Sequence, residues 1–505
     1  MGIRGLYSYI QEFADASLAW HKLRNCKLVI DGNNLAHEIY GNSPGINPAF
    51  GGDYDKYAVY IENFSIKCNV DPIVIMDGGY PMLRNKFKTV YSRLTDQMDT
   101  CRKINPDNQD SMKVFPIMAR SVFVFTIHKL GVRVLQADFE ADDEIVVVAK
   151  ELGAYVLSND SDFYIFDVPF ILLHSVNMKH VQKEQIKGGK ISKFIPCYRF
   201  DTEKFCKITG VRRELIPLLA PLLGNDYFNA KCMLPFYKTI FHLRPNSKKI
   251  SARKKVIISV LRWLANQDGS PDDIINKIVN AKDLSKYFTP GTRNGLRKAF
   301  EMYFPSSSYF TPWISQHEKT CFVKSAESSD ANSEIKYSVN FEEYFLGSQN
   351  LIEELRCTCK SKSDSTILSN GELPDKFLRA FRLGLIPHGI VDFLTKDYFF
   401  TVPQIEAYER ECLYVTFFEL IKDLRALLWI TYARGSENRN SETINKNLAI
   451  LYSNVPNKSS KQVSSIETNN TVESNKENEK TDELIQVSGG DYKEIDEDIR
   501  MFKGR

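Results

Sequence analysis

A chain of 505 residues, 43% hydrophobic and 26% charged, carries enough apolar material for two or three globular domains. A net charge of +3 excludes the uniformly basic surface of a protein that coats nucleic acid, so any basic patch must be local. Because no run of 18 or more uncharged apolar residues occurs, no membrane span is expected; the scattered cysteines, with Cys357 and Cys359 the one close pair, suit reduced thiols better than zinc.

The opening MGIRGLYSYIQEF carries Arg4 and Glu12 and has no continuous apolar stretch, so it does not read as a secretory signal. Leu6 stands where a myristoylation motif needs Ser or Thr. Residues 28–30 (LVI) then run into Asp31, and residues 73–76 (IVIM) run into Asp77. Residues 131–135 precede an acidic helix start, and residues 154–157 lead into SNDSD at 158–162. Short β-branched runs without polar alternation predict strands buried on both faces, as in a parallel sheet covered by helices. Helical patterns at 55–68 and 143–152 lie between them, which predicts an α/β layer fold.

Farther along, 212–224, 250–266, 272–280 and 376–384 have helical spacing, joined by serine-rich loops. From about residue 436 Asn, Ser, Lys, Glu and Thr dominate, and such a segment cannot bury enough surface to offset its ordering entropy. The expected organisation is an α/β domain over 1–235, a mainly helical region over 236–435 and a disordered polar tail over 436–505.

The acidic residues fall in a pattern. Asp31, Asp77, Asp160 and Asp162 each follow a predicted strand at its carboxyl end, where open α/β sheets place their functional crevice. Each alone is explained as a turn or helix-cap residue. In FEADDEIVVVAKEL, Glu140, Asp142, Asp143 and Glu144 crowd the first turn of an apolar helix, where the macrodipole favours acids. Glu140 and Asp142 can face one site only if the chain is still turning into its helix there. Asp226 follows Gly224 in LLGNDY.

Taken together these stretches resemble a known family. MGIRGL, VIDGNN at 29–34, VIMDGG at 74–79, FEADDE at 139–144, SNDSD at 158–162 and LLGNDY at 222–227 are similar to the motifs of the flap-endonuclease (XPG-like) superfamily, and more narrowly to its Asteroid branch. The resemblance covers about the first 230 residues. It implies a PIN-like nuclease domain with a central, mostly parallel sheet flanked by helices. It also implies two Mg2+ or Mn2+ ions, with Asp31, Asp77, Glu140 and Asp142 around one and Asp160, Asp162 and Asp226 around the other. Hard oxygen ligands suit these ions, and a pair about 4 Å apart can activate water and align a phosphodiester in line.

For the substrate, the resemblance implies a basic gateway over 84–128, with Arg84 at the family's spacing from Asp77 and Lys88 and Arg93 nearby. The family's second basic position falls on Tyr91 by counting. His37 stands where relatives stack an aromatic on a base, or it is a partly buried histidine; Gly2 belongs to a segment that lies close to the site in the family. After Asp226 the chain reads YFNAKCMLPFYKTIF and lacks the family's glycine-rich, duplex-gripping hairpin. Lys248, Lys249, Arg253, Lys254 and Lys255 read either as backbone contacts or as an exposed loop or nuclear-import patch.

The expected activity is a structure-specific, metal-dependent DNA endonuclease of nuclear DNA repair, acting on single strands or overhangs. It would work as a monomer, with DNA and repair proteins as partners and no membrane. A non-catalytic nucleic-acid scaffold on the same fold is the alternative, and a phosphatase using Asp160 and Asp162 is a third reading that leaves Asp31, Asp77 and Asp226 without roles.

Overall fold

The computed structural model describes residues 2–42, 67–79, 84–105, 114–116, 119–187, 189–240, 251–282, 284–305 and 381–386, together with a few isolated positions and two short strands; for 84–89 it describes the backbone. The expected helix at 55–68 falls mostly outside these residues, as do most of 311–435 and the expected tail at 436–505.

In chain order come α1 (Leu6–Glu12), α2 (Ala14–Ser17), β1 (Leu18–Leu23), β2 (Cys26–Asp31), α3 (Gly32–Gly41) and β3 (Val70–Met76). They are followed by α4 (Arg84–Lys103), α5 (Ala119–Lys129), β4 (Arg133–Gln136), α6 (Asp142–Leu152), β5 (Tyr155–Ser158) and β6 (Phe170–Leu172). Then come β7 (Gln182–Gln185), β8 (Ile191–Phe200), α7 (Thr202–Thr209), α8 (Leu219–Leu223) and α9 (Leu234–Ile240). The last described helices are α10 (Ala252–Ala265), α11 (Pro271–Asn280) and α12 (Pro290–Glu301).

One sheet runs β1-β8-β6-β5-β2-β3-β4, with β7 paired on β8. Strands β6, β5, β2, β3 and β4 are mutually parallel, so the sheet is mostly parallel and flanked by helices, as the strand composition predicts. The antiparallel extension of β1, β7 and β8 was not among the expectations.

The parallel strands bury both faces, and alternation decides which core each residue joins. Val29, Ile73, Ile75, Leu135, Val156 and Phe170 enter one core. Their neighbours Leu28, Ile30, Val74, Met76, Val134, Leu157 and Ile171 enter the other. The first core also contains Val256, Val260, Leu264, Ile274, Ile278 and Leu296, so α10, α11 and α12 pack against the same sheet face as α1 and α6.

The basic stretch at 251–255 opens the helix expected over 250–266. Ser251 caps α10 by accepting from Lys254 N, and the Arg253 guanidinium donates to the carbonyls of Arg4 and Leu223 at 2.8 Å each. Arg253 thereby ties α10 to the N-terminal segment and to the end of α8.

Ile30 is fully buried in the central strand. Ile30→Ala should lower stability by about 2–5 kcal/mol, read as a reduced urea midpoint at unchanged m-value.

Candidate active site

Strands β2, β3 and β5 end side by side, and their parallel register brings the residues that follow them to one edge of the sheet. Asp31 closes β2 and caps α3, accepting from Asn34 N at 3.0 Å and from Ser158 Oγ at 2.7 Å. The Ser158 hydroxyl also accepts from Asp160 N at 3.0 Å, so one side chain fixes the ends of two strands. Asp160 in turn caps the 3-10 turn Ser161–Tyr164 and accepts from Asp162 N at 3.1 Å.

Asp77 follows β3 and accepts from Asn33 Nδ2 at 2.6 Å and from Ala141 N at 3.0 Å. That second bond pins the start of α6 against the end of β3. Gly78 makes the approach possible, because a Cβ there would lie 1.8 Å from the Ala137 carbonyl oxygen. Helix α6 begins at Asp142, so Glu140 stands ahead of the first turn. The condition for both side chains to face one site is therefore met.

The tightest group is Asp142, Asp160 and Asp162, each with a carboxylate oxygen within 4.8 Å of the others. Repulsion links the remaining acids to it: Asp31 feels Asp77 and Asp160, and Asp142 feels Asp160, Asp31, Asp77 and Glu140. Glu140 feels Asp77, Asp226, Asp143 and Asp162. The structure thus brings all seven predicted acids into one electrostatic neighbourhood, with Asp142 close to Asp160 and Asp162 and also acted on by Asp31, Asp77 and Glu140. Burial, and then these neighbours, push Asp31 up to about 7 and Glu140 up to about 9, and raise Asp142 well above the ordinary carboxylate value. An all-oxygen donor set of clustered carboxylates fits a hard divalent cation.

Gly2 lies against this turn: with φ +67, a Cβ on it would meet Asp160 Oδ1 at 2.5 Å. His37 is exposed and stacks on Phe115, with ring centroids 4.1 Å apart at an interplanar angle of 31°. Arg84 and Lys88 lie on α4, whose side chains at 84–89 fall outside the described residues. Arg93, also on α4, pairs with Asp226 at 2.9 Å, so the expected phosphate-binding arginine contacts an expected metal-binding acid.

Several neighbours carry no signal in the sequence. Tyr303, 5% exposed beyond the end of α12, donates to Asp162 Oδ1 at 2.9 Å and accepts from Asn225 Nδ2 at 3.3 Å. Tyr227 OH donates to Glu140. A segment around 381–388 also docks beside the site. Arg382 makes two bonds to Asp138, at 3.1 and 3.0 Å, and Gln136 Nε2 donates to the carbonyls of Phe381 and Ile386 at 3.1 Å each. The NDY motif marks Tyr227, but only the fold brings residues 303 and 382 here.

Because Asp31 has a folded pKa near 7 against an ordinary value of 3.8, the folded state keeps a proton that the unfolded state has released across that window. Stability of the metal-free protein should therefore fall as pH rises from about 4 to 7, and Glu140 extends the fall toward pH 9. In chelator, the melting temperature should drop from pH 5 to pH 8; Mg2+ or Mn2+ should restore it, and Asp142→Asn should melt higher than wild type at pH 8.

No protein-family model matches the chain. It is 32% identical over 314 residues to Protein asteroid of Drosophila melanogaster, covering 53% of this chain and 36% of that protein. It is 33% identical over 293 residues to the Single-strand DNA endonuclease ASTE1 of Homo sapiens, covering 56% of this chain and 42% of that protein. The chain thus spans about two-fifths of the length of these curated relatives. Among solved structures, the catalytic core of Rad2 in complex with DNA substrate aligns over 77% of this chain and 98% of its own, with 14% identity and a TM-score of 0.34, too slight a likeness to carry an inference. Over the matched segment the chain is similar to the Asteroid-type proteins.

Proposed function

We propose that this protein is a divalent-metal-dependent endonuclease that hydrolyses phosphodiesters of single-stranded DNA or of overhanging ends. The observation that carries the reading is the convergence of Asp142, Asp160 and Asp162 oxygens within 4.8 Å, at strand ends where four further carboxylates crowd around them. Crowding like charges in this way costs the fold, as the raised proton affinities of Asp31, Glu140 and Asp142 express. The single-strand preference is supported by the name of the human relative and by the lack of a glycine-rich hairpin after Asp226.

Asp142, Asp160 and Asp162 would hold the cation, with Asp31, Asp77, Glu140 and Asp226 completing its surroundings, in the two-ion arrangement we favour. Bound there, Mg2+ or Mn2+ supplies charge neutralisation, acidification of water and alignment of the attacking and leaving oxygens. Ser158 and Asn34 orient Asp31, and Asn33 with the Ala141 amide orients Asp77. Tyr303 and Tyr227 orient Asp162 and Glu140 by donating to them. The His37–Phe115 pair offers a ring face to a base beside the cleaved bond, a contact indifferent to sequence. Arg84, Lys88 and Arg93 on α4 would engage phosphates, Arg93 by exchanging Asp226 for the substrate. We place the activity in the nucleus, on repair or processing intermediates, on the strength of the sequence resemblance.

The test is a panel of single strand, 3′ overhang, 5′ flap and blunt duplex, each with Mg2+ and with chelator. Cation-dependent cutting of single strands and overhangs, reduced to background in Asp160→Ala, is expected; a 5′-flap preference would reject the specificity. Binding without cutting under every condition would favour a scaffold.

Tyr303→Phe keeps the ring and removes the donor. It should weaken Mn2+ binding to the metal-free protein by about 10–100-fold in calorimetry while leaving the fold intact by circular dichroism.

A further inference from the structure

The antiparallel edge of the sheet presents a surface that the cleavage site does not use. Trp20 on β1 and Tyr198 on β8 are direct cross-strand partners and so project from the same face. They are 54% and 48% exposed, unusual for large aromatics on paired strands. Trp20 stands edge-on to Phe194, with centroids 6.1 Å apart, and the Lys22 ammonium lies 5.4 Å from its ring centroid. Glu184 on β7 bonds both Lys22 and Arg24, which fixes the β7–β8 hairpin to β1.

That hairpin is strongly basic although the whole chain is nearly neutral. Between residues 179 and 199 there are five lysines and Arg199 against one acid, Glu184. Lys183 and Lys193 pair with each other on the sheet face opposite Phe194 and Tyr198, while Lys187 and Lys190 stand exposed at the turn of the hairpin.

The position of this surface relative to the carboxylates follows from register. Phe170 and Ile171 of β6 pair with Phe200 and Arg199, so Tyr198 stands level with Leu172 at the carboxyl end of β6, the end at which the acids lie, and β8 residues below 198 extend past it. Hydrogen bonds connect the two places: Tyr198 N donates to Ser175 Oγ at 2.9 Å, and the adjacent His174 N donates to Asn159 Oδ1 at 2.9 Å. Asn159 immediately precedes Asp160. Three strand spacings separate β1 from β5, roughly 15 Å.

We infer that Trp20, Tyr198 and the turn lysines Lys187 and Lys190 of the β7–β8 hairpin form a second binding surface for single-stranded nucleic acid, outside the cleavage site, which holds the strand a few nucleotides from the bond that is cut. The occupant follows from chemistry. Adjacent exposed rings accept unstacked bases of any sequence, and closely spaced lysines match a phosphate backbone. A duplex would present its backbone to the lysines and leave the rings without partners; an acidic peptide would do the same. The inference rests on the nuclease reading for its biological substrate, although the surface is tested without cleavage.

Binding of a labelled oligothymidylate to the full chain is measured by anisotropy in chelator across a salt series. Trp20→Ala/Tyr198→Ala should weaken binding by roughly tenfold or more. Lys187→Glu/Lys190→Glu should flatten the salt slope by about 0.7 per lysine lost from a phosphate contact. With Mg2+ present, the aromatic double variant should raise KM for long strands and leave kcat unchanged. Wild-type affinity and slope in both variants would overturn the proposal, as would polyglutamate bound as tightly as the oligonucleotide. Binding that depends on these residues in a protein that cuts no strand would sustain the surface and reject the nuclease reading.

Discussion

Mutual repulsion among crowded, buried and half-buried carboxylates is the constraint around which this fold is arranged. Each of Asp31, Glu140 and Asp142 sits where burial and neighbouring acids disfavour its charge, and their raised proton affinities express that conflict. The chain does not relax it by letting the acids turn to solvent. It fixes them, through the amide of Asn34 on Asp31, the amide of Ala141 on Asp77 and the amide of Asp162 on Asp160. Backbone donors cannot swing away, so these acids are held in place by the fold itself.

The supports come from widely separated parts of the sequence. Asp162 depends on Tyr303, which belongs to a helical segment packed in the same core as the sheet. Asp138, beside Glu140, is gripped by Arg382, and the Gln136 amide is taken up by carbonyls of Phe381 and Ile386. The Arg93–Asp226 pair ties helix α4 to the acidic cluster from the opposite direction. A pocket braced by three remote segments transmits displacement of any one of them to its carboxylates.

Much of this was legible beforehand, and the reasons are local. β2, β3 and β5 announce themselves because strands buried on both faces read as unbroken apolar runs, and the acid at each end is visible by contrast. The start of α6 was readable from acids preceding an apolar helical pattern. β8 was not, since Lys193, Pro196 and Arg199 break any strand-like run. Its register explains the proline: β6 pairs only with Phe200 and Arg199, so Pro196 faces β1 alone and no ladder bond is lost on its other side. Arg253's role was not legible because a lysine-rich string looks solvated, whereas its guanidinium bonds the carbonyls of Arg4 and Leu223, which only the tertiary fold supplies. Tyr303 and Arg382 have no local signature at all.

The pairing of β1 with β8 has a consequence for the order of assembly. Among the described residues β1 finds its ladder only on β8, so a strand made within the first two dozen residues waits until residue 200 has been synthesised. At ribosomal speeds that interval is roughly ten to thirty seconds. Meanwhile Leu18 and Leu23, both destined for the interior, stand uncovered on a nascent chain, which makes the earliest strand a natural client for a chaperone at the exit tunnel.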